Sequence, residues 1–197
     1  MIYLRHTFFF LITATILLSC SHPHYKDPHI LIYTNYGEIE VELYPDKAPK
    51  TVAAFLSYID SGYYTNSAFY RVIKDNNLLP ADNYGLIQGG VWQTDDKPGP
   101  QVAGIVHEST KQTGLSHTSG TISLARTTPG TASTEFFICI DDQTQFNYGN
   151  EINGDKEGYA AFGKVLKGMK VVREIQSLPN DGDRFTPPVK ISKIKGL

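Results

Sequence analysis

The sequence predicts a mainly β fold, a closed antiparallel barrel capped by two α-helices. Three observations lead there. Short runs rich in β-branched and aromatic residues recur along the chain, separated by glycine-rich or polar loops. Only two segments place apolar residues at helical spacing. Strand and helix never alternate over the long stretches that a doubly wound parallel sheet requires, and no internal repeat is present. A chain of 197 residues with 41% hydrophobic content builds one sizeable core, and many short strands protect their edges best by closing into a ring.

The elements follow in chain order. Arg5 precedes an apolar run from Phe8 to Leu18, too short to cross a bilayer as a stable helix, so residues 1–19 read as a secretory signal. The run ends in Leu17-Leu18-Ser19-Cys20, which resembles the bacterial lipobox. Cys20 is therefore expected to become a lipidated mature N-terminus, anchored to a membrane of the bacterial cell envelope. A disulfide is the competing use of Cys20, but its one possible partner, Cys139, lies in an apolar run where a buried thiol is the common state. Residues 20–28 are short, polar and proline-bearing and read as a tether. His22, His24 and His29 lack the further spaced ligands that a zinc site needs. The globular domain is then residues 29–197. A net charge of −2 gives no indication of nucleic acid or anionic lipid as a partner.

Within the domain, "HILIYT" and "GEIEVELY" alternate about Asn35-Tyr36-Gly37, a hairpin with Ile39, Val41 and Leu43 facing the core and Glu38, Glu40 and Glu42 facing water. "DKAPKTVAAFLSYIDSGYY" then reads as a helix: Asp46 is the candidate N-cap, Pro49 stands near the start, Val52, Phe55, Leu56 and Ile59 share a face, and Gly62 stops it. "FYRVI", "LIQGG", "TISLAR", "EFFICI" and "AAFGKVL" are strands, "MKVVREIQSL" is a second helix ending before Pro179, and "VKISKIKG" is a closing strand. Three connections are long, Lys74 to Gly85, Gln93 to His117 and Asp141 to Gly158, and loops of that length often carry recognition. The acidic stretches "DDQTQFN", "NGDKEG" and "NDGDRF" lack the ligand register of a calcium loop, so neither metal nor cofactor is expected.

One residue is out of place in this pattern. Arg71 sits in the middle of "AFYRVI", and a guanidinium in a buried strand is costly unless something pairs with it. Read alone, it pairs with Glu42 or another carboxylate. The surrounding blocks say more. "FYRVI", "IQGG" at Ile87 to Gly90, "GTISLARTTPGTASTEFFICI" at Gly120 to Ile140 and "FGKVLKGMKVV" at Phe162 to Val172 resemble, in order, the blocks of the cyclophilin-type peptidyl-prolyl cis-trans isomerases. The resemblance runs from His29 to the end of the chain and implies an eight-stranded antiparallel barrel with two capping helices.

It also implies a chemistry without covalent steps. Rotation about the prolyl amide breaks a resonance worth about 18–20 kcal/mol. In the twisted state the prolyl nitrogen regains a lone pair that a permanently charged donor can hydrogen-bond. By resemblance Arg71 is that donor, and Gln88 helps hold the arginine and the substrate backbone. Phe137 matches the family's proline-pocket residue, with Leu86 and Phe146 beside it, while alternation sends Phe136 to the core. Ala125 and Arg126 match the strand whose backbone pairs with the substrate peptide, and Tyr159 falls where several relatives carry histidine. The partners implied are proline-containing polypeptides, and a monomer is expected.

Three positions depart from the family pattern. Tyr70 replaces a common histidine, Gly85 stands where a pocket phenylalanine is frequent, with Tyr84 next to it, and Glu135 replaces the usual glutamine. Glu135 is expected close enough to Arg71 to engage it in an ion pair and lower turnover. Gln145 stands where cyclosporin-sensitive members carry tryptophan, which implies weak binding of that macrocycle. Two readings stay open: a lipid-anchored isomerase that accelerates folding of exported proteins, and a tethered proline-binding or chaperone module that has lost turnover. A hydrolase built on Ser123 and His117 is disfavoured, because no nucleophile elbow surrounds the serine.

Overall fold

The computed structural model describes residues 25–74, 85–92, 100–151 and 154–197. The alternating hairpin forms as its pattern requires. Strand β1 (His29–Thr34) pairs antiparallel with β2 (Gly37–Leu43), closed by the Thr34↔Gly37 pair, and Gly37 takes φ +133°, which a side chain rarely adopts. Ile30, Ile32, Ile39, Val41 and Leu43 are fully buried. The other face is wet only in part. Glu40 is buried, where His29 meets its Oε1 at 3.0 Å and Lys167 Nζ, from the neighbouring strand, donates to Oε2 at 2.7 Å. Those bonds hold its carboxyl below the usual range.

The remaining strands are β3 (Ser67–Ile73), β4 (Gly85–Gly90), β5 (Thr121–Leu124), β6 (Phe136–Ile140), β7 (Ala160–Lys167), the two-residue β8 (Asn180–Asp181) and β9 (Arg184–Gly196). Antiparallel pairing runs β1-β2-β7-β5-β6-β4-β3-β9, and β9 returns to β1, so eight strands close a barrel as expected; β8 is a short appendage on β9. Closure leaves no long edge among the described strands for another chain to pair with.

Helix α1 (Pro49–Asp60) packs on β7 and β9, and α3 (Met169–Ser177) packs on β2, β4 and β6. The expected cap of α1 is wrong. Asp46 does not cap it; the N-cap is Ala48, which offers no side-chain bond. Glu108, from a distant loop, instead accepts from the backbone N–H of Thr51 at 2.8 Å and of Lys50 at 3.2 Å, and a carboxylate there also suits the helix dipole. Inside the barrel the Phe55 ring meets Tyr64, Phe136 and Phe162 with centroids 5.0–5.6 Å apart.

A third helix, α2 (Thr110–Thr113), lies in the long connection before β5, where only a loop was expected. It spans one turn, closed by a Ser109–Gln112 capping box and by Gly114 at φ +69°. A single turn is too short to show helical spacing. Cys139 is a free, buried thiol, while Cys20 lies outside the described residues, as do 75–84, which hold most of the Lys74–Gly85 connection.

Candidate active site

The site is built on the outer face of the barrel, and one irregularity in β3 creates it. On β4, Phe69 pairs with Gly89 and Arg71 with Gln88, so Tyr70 is an extra residue in that ladder; on β9 the partners are Val189 and Arg184, and the register shifts at the same point. Such a bulge resets the alternation. Phe69 and Val72 both enter the core, which leaves Tyr70 and Arg71 off it. Without the bulge, strict alternation would send Arg71 to the same side as Phe69. Gly89 fits the close approach, since a Cβ there would lie 2.6 Å from the Ala68 carbonyl oxygen.

Register then aligns the predicted residues. Arg71 pairs with Gln88, Gln88 with Phe137, and Phe137 with Ser123, one transverse row across β3, β4, β6 and β5. Leu86 opposite Cys139 forms the next row. Leu86, Phe137, Cys139 and Phe146 make a small apolar cluster separate from the main core, with Ile73, Ala125 and Tyr159 packed against it. The rings of Phe137, Phe146 and Tyr159 meet edge to face with centroids 5.2–5.5 Å apart, and His117 stacks on Phe137 at 6.0 Å. Phe136 is in the main core, as alternation required.

Arg71 lies beside this cluster with its side chain 36% exposed. Its Nε donates to Asp183 Oδ2 at 2.6 Å and its Nη1 to Gln88 Oε1 at 3.1 Å. A carboxylate does pair with Arg71, as expected, but it is Asp183 and neither Glu42 nor Glu135. Glu42 meets His29 at 3.6 Å, and Glu135 accepts from Tyr70, Val91, Trp92 and Thr134. Asp183 was legible in no motif, because it lies 112 residues along the chain from Arg71. The guanidinium holds its carboxyl below the usual range.

Tyr70 is 2% exposed, with its hydroxyl engaged by Glu135 and Gln88, so it lies beneath the groove rather than in it. Ala125 donates its N–H to the Glu135 carbonyl at 2.9 Å, which places residues 125 and 126 at the end of β5, beside the cluster. The Arg126 side chain turns inward. It forks onto both Asp155 oxygens at 2.6 and 2.9 Å, bonds the Gly158 carbonyl, and lies over the Tyr159 ring, so it braces the loop carrying Tyr159. The fork holds the Asp155 carboxyl down at about 2. A Cβ on Gly85 would meet Gln176, and the neighbouring Tyr84 lies outside the described residues.

Ser123 and His117 do touch, with Nε2 to Oγ at 3.0 Å, and Asn147 Oδ1 faces Nδ1 at 2.8 Å. Both side chains are fully buried behind Phe137, so the hydroxyl has no open face toward a substrate carbonyl. The histidine is a packing element of the aromatic cluster, a role sequence reasoning missed.

A family model described as cyclophilin type peptidyl-prolyl cis-trans isomerase matches residues 29–196. This chain belongs to that family. It is 41% identical over 147 residues to a peptidyl-prolyl cis-trans isomerase of Acinetobacter baylyi, covering 74% of this chain and 70% of the relative. It is 36% identical over 151 residues to peptidyl-prolyl cis-trans isomerase B of Escherichia coli, covering 76% and 84%. A crystal structure of a cyclophilin type isomerase from Cryptosporidium parvum superposes with a TM-score of 0.69 at 25% identity, covering 87% of this chain and 98% of that one. The same Cryptosporidium protein, crystallised in the presence of the dipeptide Ala-Pro, gives a TM-score of 0.66 at 26% identity, covering 84% and 96%. This cyclophilin is a peptidyl-prolyl cis-trans isomerase.

Proposed function

We propose that this cyclophilin accelerates cis-trans exchange of Xaa-Pro bonds in exported polypeptides, acting as a monomer tethered to a membrane of the bacterial envelope through Cys20. The observation that carries the catalytic part is the transverse row in which Arg71, Gln88 and Phe137 stand side by side. The proline ring rests on the Leu86, Phe137 and Phe146 cluster, where flat carbon faces take it out of water. The peptide backbone lies along Ala125 and Arg126 as an added strand. Asp183 and Gln88 hold Nε and Nη1 of Arg71, which aims the guanidinium at the groove.

Catalysis then rests on differential binding. A planar prolyl amide delocalises the nitrogen lone pair and accepts poorly, whereas the twisted amide offers that pair to a guanidinium N–H. No proton changes hands. The envelope location rests on the apolar run from Phe8 to Leu18 and the lipobox-like Leu17-Leu18-Ser19-Cys20, and uncatalysed prolyl exchange, at tens of seconds, is slow enough to limit folding there.

The test is exchange of a short Xaa-Pro peptide by the domain beginning after Cys20, beside a folded Arg71→Ala variant. Acceleration by the parent and a loss of roughly a hundredfold or more in the variant is expected; a folded parent without acceleration at high concentration overturns the reading in favour of a binding module. Radiolabelled palmitate incorporated into the full chain and abolished by Cys20→Ala tests the anchor, and an unlabelled parent refutes it.

A further inference from the structure

The catalytic arginine is positioned through a chain of hydrogen bonds whose direction is fixed at its far end. Ionised Glu135 can only accept. Its Oε1 takes the N–H groups of Val91 and Trp92 and the Thr134 hydroxyl, each at 2.9 Å, and its Oε2 takes the Tyr70 hydroxyl at 2.6 Å. Tyr70 has one proton, and it is spent on Glu135. Its oxygen must then accept, and it accepts from Gln88 Nε2 at 2.8 Å. That bond leaves the other end of the amide, Oε1, facing Arg71 Nη1 at 3.1 Å. Turned over, the amide would press two N–H groups against a guanidinium that can itself only donate.

The geometry points to Glu135 and Tyr70 as positioning residues that orient Gln88, and through it Arg71, for the twisted amide. This deepens the proposed catalytic role of Arg71 and rests on it. Tyr70 cannot act as a substrate contact in its own right, since it is 2% exposed. Glu135 does not touch Arg71, so its negative charge acts through two intervening side chains and not by competing for the guanidinium. The tyrosine and the glutamate also form a matched pair: a phenol needs an acceptor-only partner to be left with its own oxygen as the acceptor for Gln88. When Glu135 takes up a proton it becomes able to donate, and the chain loses its single direction. The groups that face this chain are Tyr64 behind Glu135, whose hydroxyl donates to the Thr134 carbonyl, Arg184 over the Tyr70 ring at 5.7 Å, and Arg71 itself at the far end.

The test compares kcat and KM on one Xaa-Pro peptide for the parent, Tyr70→Phe, Glu135→Gln, the double variant and Arg71→Ala, each with its fold checked by circular dichroism. Each single variant is expected to lower kcat roughly ten- to hundredfold with little change in KM, and the double variant to lose no more than either single one. The parent should lose kcat on the acid side as Glu135 protonates, above the ordinary carboxylate range because burial raises its pKa, and Tyr70→Phe should lack that limb. Losses that multiply in the double variant, a change confined to KM, or an unchanged acid limb in Tyr70→Phe overturns the positioning role while Arg71→Ala still abolishes turnover. Full activity of Arg71→Ala overturns the assignment of Arg71 itself, and this proposal with it. If Glu135→Gln does not fold, Tyr70→Phe decides alone through its kcat and pH profile. Trp92 is the single tryptophan and packs 6.2 Å from Tyr70, so its fluorescence follows the Glu135 titration without reference to catalysis.

Discussion

Mild acid should weaken this fold through one histidine. His117 is fully buried, its Nδ1–H pointing at Asn147 Oδ1 and its Nε2 facing the Ser123 hydroxyl, an arrangement that fits the neutral ring. Burial pushes its pKa from 6.5 down to about 4. The unfolded chain therefore binds a proton near its ordinary value while the folded chain does not, and stability falls as pH drops between the two values. The full gap corresponds to about 3 kcal/mol, of which about 2 kcal/mol is reached by about pH 5. For a domain of this size that lowers Tm by roughly 4–8 °C.

Asp155, Asp183 and Glu40 have lowered values, so their contribution is present above the ordinary carboxylate range and lost only below this window. Glu135, with its raised value, works in the opposite sense and offsets part of the fall. The measurement is therefore a difference: thermal unfolding followed by circular dichroism for the parent and His117→Gln from about pH 7.5 to about pH 5. The variant starts lower, because the stack on Phe137 is gone, but its curve should be flatter by the His117 share. Parallel curves would show that the buried ring does not titrate as argued.

Two further outcomes test the scaffold of the site. Glu108→Gln removes the charge that caps α1 from afar and should cost about 1 kcal/mol in urea unfolding at unchanged m-value, with isomerisation intact. Asp183→Asn releases the half-exposed ion pair with Arg71, so the urea midpoint should barely move while kcat falls; a large stability loss with normal kcat would refute a positioning role for Asp183.

Sequence and structure divide this protein along a physical line. Alternation in β2 and β6, helical spacing in "TVAAFLSYI" and "MKVVREI", and turn residues such as Gly37 and Gly62 are local, so the strands, both longer helices and the opposite fates of Phe136 and Phe137 could be read directly. Through the ordered blocks, the sequence also singled out Arg71, Gln88, Leu86, Phe137 and Phe146. It could not show what those residues touch. The bulge at Tyr70 depends on how β3 meets β4 and β9 together, and the cap of α1 comes from Glu108, 57 residues from Thr51. Asp183 reaches Arg71 across 112 residues, and Glu135 reaches Tyr70 across 65. Period and capping are properties of a few consecutive residues, whereas the partner of a charge is chosen by barrel closure, which brings distant residues within a hydrogen bond of each other only in three dimensions.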